Sequence, residues 1–256
     1  MANAGRGRLI GELTFLEISK LLGENSILCL PIGSIEQHGP HLPINTDVVL
    51  AEAFAQHIMS RWGEAFDLWQ LPTISVSLAR EHQWAPGTMS LSIQTMTALL
   101  RDIARALPAR NLAIINGHGG NRGILEALAH DLRADFGLNV CVLHLGALAE
   151  DNANAAIPDI HGGKNETSMM LAVAPHLVRR DLIAQLKNPG DADLIRSTIL
   201  DIGVTWPWIS SDSRLADMGV IGDAHSASAE FGQARIDGLV EKAGGILKQL
   251  LANRRP

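Results

Sequence analysis

Short, continuously apolar runs alternate along this chain with longer stretches whose apolar positions recur every three or four residues. The runs over 26–33, 68–76, 112–116 and 139–145 read as strands, and 48–61, 93–107, 122–136, 166–174 and 227–252 carry the helical period. Leu112-Ala113-Ile114-Ile115 is apolar on both faces rather than alternating. A strand needs that pattern when helices cover both sides of a parallel sheet. The order is repeated βαβ, which predicts an α/β fold, a three-layer α/β/α sandwich around a mostly parallel central sheet. Four or five strands are too few for an eight-stranded barrel, which occupies about this length. Residues 188–217, rich in polar and turn residues, are expected to be irregular.

Composition narrows the class. The 256 residues are 46% hydrophobic and no Pro/Ser-rich linker divides them, so a single domain over 1–256 is expected. The net charge is −6 and no basic run exceeds a pair, which argues against nucleic acid or an anionic membrane and for a small-molecule substrate. The first eight residues lack the apolar core of a signal peptide and no stretch approaches a membrane span, so the expected location is cytoplasmic. Cys29 and Cys141 each lie within an apolar strand-like run and read as small core residues rather than a disulfide or metal ligands.

Candidate chemistry follows the first strand. Gly33-Ser34-Ile35-Glu36-Gln37-His38-Gly39-Pro40-His41 continues to Thr46-Asp47, placing two carboxylates and two imidazoles in one loop. Residues i and i+2 of extended chain point the same way, so Glu36 and His38 suit one ion, and the Gly-Pro turn can bring Asp47 back. This donor set fits zinc, manganese or iron. Thr46 and Asp47 also precede a helix, where either is a suitable N-cap. The strand ending at Ile115 leads into Asn116-Gly117-His118-Gly119-Gly120-Asn121, which puts His118 at a strand's carboxyl end, where ligands collect in open parallel sheets. A dinucleotide site fits poorly. The glycine spacing is off by one, and the run over 139–145 is not followed by the acidic residue that would hold a ribose.

The runs Glu36-Gln37-His38-Gly39-Pro40-His41-Leu42-Pro43 with Thr46-Asp47, Asn116-Gly117-His118-Gly119-Gly120-Asn121, and His161-Gly162-Gly163 with Glu166-Thr167-Ser168 resemble the three signatures of the creatininase (creatinine amidohydrolase) family. Pro86-Gly87-Thr88-Met89-Ser90-Leu91 is a weaker fourth match, and residues 219–232 resemble the closing segment, so the resemblance covers nearly the whole chain. It implies two divalent ions per subunit, with Asp47 bridging, Glu36 and His118 on one ion and His38 on the other. Such a pair activates a water and polarises a scissile carbonyl. The implied reaction is hydrolysis of a small C–N bond, of cyclic amide or formamide type. Relatives also include a peptide-trimming enzyme and a ring-opening hydrolase of cyclic polyol ketones, and members usually form homo-oligomers, as hexameric rings.

The departures are specific. Creatinine-cleaving members resemble Gly-His-Tyr-Glu after the third strand, with the Glu on the second ion, and this chain has Gly120 there. Glu166 is the nearest replacement ligand; the alternatives are a carboxylate that merely favours a helix start, or a single-metal site. His161 matches a pocket-lining His of the family and is a candidate catalytic residue with Glu166 and His41. Creatininase carries a Glu just before it, where this chain has Ile160, and presents tryptophans from the preceding segment, whereas residues 146–160 contain none. Lys164 stands where many relatives have Glu and suits an anionic substrate or an ion pair. His82 and Trp84 are further candidates for substrate binding, and Trp206-Pro207-Trp208 for a lid or oligomer contact. His57, His130, His144, His176 and His225 read as structural or surface residues. These departures point away from creatinine itself, and a non-catalytic metal-holding protein is the alternative of another class.

Overall fold

The computed structural model describes residues 8–148, 155–187 and 189–253. Most of the leader reading over 1–8, together with 149–154 and Asn188 of the segments above, lies outside the described residues. The helices are α1 Phe15–Leu21, α2 Thr46–Trp62, α3 Ile93–Ala106, α4 Arg122–Phe136, α5 Leu145–Leu148, α6 Lys164–Val173, α7 Arg180–Ile183, α8 Ala192–Ile195 and α9 Ala229–Ala252. The strands β1 Ile27–Ile32, β2 Leu68–Gln70, β3 Asn111–Asn116 and β4 Asn139–His144 form one parallel sheet in the order β2-β1-β3-β4.

The sheet is buried from both sides, as the unbroken apolar runs require. Ile27 and Cys29 of β1 and Ala113 and Ile115 of β3 pack with Phe54 of α2, Met170 of α6 and Ile236 of α9. The alternate residues, Leu28, Leu30, Leu112 and Ile114, pack with Met96 and Leu100 of α3 and Leu125 and Leu132 of α4. This is the expected three-layer sandwich. Cys29 and Cys141 are unpaired, and burial pushes the Cys141 thiol up to about 12, which leaves it an inert packing group.

Several element bounds differ from expectation. The strand expected over 68–76 ends at Gln70: the Leu71 N–H still reaches the Cys29 carbonyl, but Pro31 of β1, which faces β2, has no N–H to return, and beyond it only single bridges continue, Ile32 with Ile74 and Ser77 with Ser90. α6 begins at Lys164, and α9 begins at Ala229, where the Ser228 hydroxyl accepts from the Phe231 N–H. The segment expected to be irregular holds the short α8 and a single π-helical stretch, Arg196–Leu200. Among the described residues no helix is long and apolar enough to cross a membrane.

Candidate metal centre

The loops leaving β1 and β3 and the first turn of α2 converge at the carboxyl edge of the sheet. Close backbone approach makes this possible. A Cβ on Gly33 would lie 2.5 Å from the Val48 nitrogen, and one on Gly117 would lie 2.7 Å from the Asp47 carbonyl oxygen. These two glycines let the start of α2 settle between the two strand ends, which fixes Asp47. Neither Thr46 nor Asp47 caps the helix with its side chain: Asn45 is the cap residue, and the Thr46 hydroxyl donates to the Pro43 carbonyl at 2.7 Å. The positive end of α2 favours the Asp47 carboxylate.

Asp47 joins two donor groups. Its Oδ1 is 3.1 Å from His38 Nε2 and its Oδ2 is 3.1 Å from His118 Nδ1. His118 Nδ1 is also 3.1 Å from Glu36 Oε1, and His38 Nε2 is 3.7 Å from Glu166 Oε2. Glu36, Asp47 and His118 form one group whose ligand atoms lie within 4.8 Å of one another, and His38, Asp47 and Glu166 form a second. A third, Glu36 with His38 and His161, keeps the i, i+2 pairing, so Glu36 and His38 also suit one ion together.

The residues fit a divalent cation. Glu36 is wholly buried, and its carboxylate oxygens and Asp47 Oδ2 have no aligned hydrogen bond, only ion-pair contacts with neighbouring imidazoles. An ionised carboxylate so buried costs several kcal/mol unless a cation compensates it. Metal–ligand bonds of about 2.0–2.2 Å at angles of 90–109° set donor atoms about 3.0–3.5 Å apart, which matches the contacts around Asp47. The oxygen and imidazole donors suit zinc and manganese alike.

In the chain without metal, electrostatics hold the site together. Burial alone would lower His38, but Asp47, Glu166 and Glu36 outweigh it and lift the imidazole to about 10. His118 stands well above its ordinary value, because Glu36 and Asp47 likewise overcome burial. For Asp47, burial is overcome by the two imidazoles, which hold the carboxyl below the usual range. Burial raises Glu36, and it raises Glu166 to about 7.

The remaining candidates divide. His161 is buried beside Glu36, with Nδ1 3.6 Å from Glu36 Oε1 and its ring stacked 4.0 Å from that of His82. Burial and then His38 hold it well below its ordinary value. His82 faces the same carboxylate, with Nε2 3.4 Å from Glu36 Oε1 and the ring edge-on to Trp208. His41 stands behind this layer, with Nε2 2.8 Å from the Thr167 hydroxyl and no partner on Nδ1; burial lowers it to about 4. Trp84 is 43% exposed and donates its indole N–H to Ser210 rather than lining the centre. Lys164 places its ammonium 4.1 Å over the Phe231 ring and is not among the residues of the adjoining cavity. That cavity, about 440 Å³, is bordered by His118, His161 and Glu166 and walled by Leu145, Met169, Ile199 and Leu200, with Arg122 and Arg235 also on its lining.

Sequence reasoning passed over several members. Gln37 lies between two ligand candidates, and its side-chain nitrogen sits 3.0 Å from His82 Nδ1, 3.1 Å from His161 Nε2 and 3.2 Å from Ser210 Oγ. Its place in the metal loop was the available signal. Asn116 holds His118 by donating to its carbonyl at 2.7 Å and accepting from its N–H at 3.3 Å. His144, read as structural, borders the cavity with Nδ1 3.0 Å from Asn116 Nδ2. Asp159, also on the cavity lining, is raised by burial to about 6 and accepts the Asn165 N–H at the start of α6.

The chain is similar to known proteins in sequence and in fold. The family model described as creatininase, creatinine amidohydrolase, matches residues 11–247. A mycofactocin precursor peptide peptidase of Mycobacterium tuberculosis is 31% identical over 257 residues, with 94% of each chain covered. A creatinine amidohydrolase of Pseudomonas putida is 34% identical over 200 residues, covering 68% of this chain and 75% of that one. A crystal structure of creatinine amidohydrolase superimposes with a TM-score of 0.73 at 27% identity, covering 98% of this chain and all of the other. Solved creatininases include a manganese form and a Zn-Zn type mutant. The chain belongs to the creatininase family of metal-dependent hydrolases.

Proposed function

We propose that this protein hydrolyses an amide-type C–N bond at a two-ion centre, with Asp47 shared between the ions. The observation that carries the reading is the placement of one buried carboxylate between two complete donor groups, Glu36–Asp47–His118 and His38–Asp47–Glu166. Divalent ions held there supply Lewis acidity that activates a water and polarises a carbonyl. Glu166 replaces the carboxylate that creatinine-cleaving relatives present at the position of Gly120. His161 is the general base. Its Nε2 lies against the Gln37 carbonyl, so that nitrogen carries the proton, and Nδ1 keeps a free lone pair towards Glu36. His41 donates Nε2–H to Thr167, whose hydroxyl donates to the Gly162 carbonyl; it steadies the loop behind His38 from outside the reacting layer.

For the substrate, the cavity favours a peptide amide over a small cyclic amide or formamide. Its volume of about 440 Å³ and apolar wall of Leu145, Met169, Ile199 and Leu200 suit side chains on the acyl or amine part. The peptidase name of the Mycobacterium tuberculosis relative points the same way. The test is a screen of metal-replete protein against creatinine, formamides, cyclic polyol ketones and peptide libraries, with Asp47→Ala as the blank. Turnover of peptides alone supports the reading; turnover of a small cyclic substrate alone overturns the peptide assignment. Two bound ions with no hydrolysis of any substrate would return the chain to a metal-holding role. Self-association is proposed through 202–209, where Ile202, Val204, Trp206 and Ile209 are all exposed; light scattering of wild type and Trp206→Ser checks it.

A further inference from the structure

Gly120 does not owe its identity to the backbone, because it is not among the glycines of positive φ. Space explains it. A Cβ at this position would lie 2.3 Å from Glu81 Oε1 and 2.4 Å from His118 Nε2, closer than such atoms approach. The carboxylate of Glu81 and the far edge of the His118 ring occupy the volume into which a side chain at 120 would project.

The His118 ring has two distinct faces towards charge. Nδ1 is directed at Glu36 Oε1 and Asp47 Oδ2, 3.1 Å from each. Nε2 is buried, has no hydrogen-bond partner, and stands 3.6 Å from Glu81 Oε1. A histidine that ligates a metal through one nitrogen nearly always gives its other N–H to a carboxylate, carbonyl or water, which fixes the tautomer and the ring's aim. Glu81 offers that carboxylate. At 3.6 Å the contact is an ion-pair distance.

The backbone around Glu81 is held in register with the His118 loop. The Glu81 carbonyl accepts the Ser210 N–H at 3.0 Å, and Asn121, two residues beyond Gly119, accepts the Leu78 N–H at 3.2 Å and donates to Ser77 Oγ at 3.0 Å. Asn121 Nδ2 also reaches Asn116 Oδ1, which accepts the His118 N–H. Loop 77–81 and loop 116–121 are therefore braced by the same two asparagines.

We propose that Glu81 is the positioning carboxylate that orients His118 for its ion, and that position 120 is glycine because that carboxylate fills its side-chain volume. The proposal rests on the metal reading above and goes beyond it, since it concerns a residue that ligates nothing. It also explains why a ligand cannot return to position 120 without displacing Glu81.

The test titrates stripped full-length protein with Zn2+ by calorimetry and by chelator competition, for wild type, Glu81→Gln and Glu81→Ala. Glu81→Ala should weaken one of the two ions by about 10- to 100-fold, the range for loss of such outer partners, and leave the other unchanged. Glu81→Gln, which keeps the shape and an acceptor oxygen, should fall between and carries the test if the alanine variant does not fold. Gly120→Ala should weaken the same ion. Tight wild-type binding with both affinities unaltered in the Glu81 variants overturns this proposal alone, as does equal weakening of both ions. Failure of the wild-type chain to bind Zn2+ overturns this proposal and the metal reading together.

Discussion

Metal binding should release protons, by an amount set by the buried ion pairs. In the metal-free chain His38 titrates at about 10 because Asp47, Glu166 and Glu36 outweigh its burial. At pH 7 only about one molecule in 10³ then carries a neutral His38, yet an ion needs the neutral lone pair. Affinity at the His38 centre should therefore rise about tenfold per pH unit from 7 towards 10, about 1.4 kcal/mol each. Glu166, at about 7, contributes roughly a further half proton at pH 7, and His118, also raised, adds to the release at the other ion. Filling both centres at pH 7 should release more than about one and a half protons per chain. Calorimetry in buffers of different ionisation enthalpy reads this number directly. The sign extends to stability: His38 and His118 are raised on folding, so their contribution is complete below about pH 6.5 and is lost as pH rises, towards about 10 for His38. Metal-stripped protein should melt progressively lower from pH 7 to 10, and metal-loaded protein should not. Fewer than one proton released, or affinity flat between pH 6.5 and 8.5, would refute the ion-pair account of the site.

Other perturbations separate the parts. Asp47→Ala should abolish binding of both ions together with hydrolysis, as read by elemental analysis; full metal content in that variant sinks the bridging role. Glu166→Gln should weaken one ion of two by more than about 100-fold, since it alters a ligand rather than the group behind one. Unchanged stoichiometry would send Glu166 back to a helix-start role. Gly232→Ala tests the seat of α6, because its Cβ would lie 2.0 Å from the Ser168 carbonyl oxygen. Overpacking of this kind costs about 1–3 kcal/mol, and a melting temperature within one degree of wild type would contradict the close helix crossing.

The sandwich was legible because its sheet is covered on both faces, so β1 and β3 are apolar at every inner position and cannot be confused with half-exposed strands. The early end of the second strand was hidden, because it depends on Pro31 of the neighbouring strand, which has no N–H to give towards β2. The candidate ligands Glu36, His38 and His118 were visible as residue types in the loops after strands, Asp47 as a carboxylate at a helix start, and Glu166 as the nearest carboxylate to a missing one. Lys164 was misleading in the sequence, since charge beside a signature says nothing of direction; the chain turns its ammonium onto Phe231 of α9. Gln37 and Glu81 were hidden for a different reason. Their roles depend on which loops are braced together, and the Asn121 and Ser210 contacts that do so join residues 43 to 173 positions apart.

The proposed move of a ligand from position 120 to position 166 is supported by a scaffold that the third signature carries itself. The Gly162 N–H donates to Glu166 Oε2 at 2.6 Å, so the carboxylate is aimed by the turn that precedes α6 rather than by the helix alone. Thr167 ties the same turn to His41 and so to the loop that bears His38. Ser168 accepts the Ser228 N–H and anchors the helix to α9 at the point where Gly232 admits it. Consecutive residues 166, 167 and 168 thus face the centre, the loop behind it and the closing helix. A change at any one of the three should move the His38 ion while leaving the Glu36–His118 ion in place, which makes the two affinities separable by mutation although Asp47 serves both.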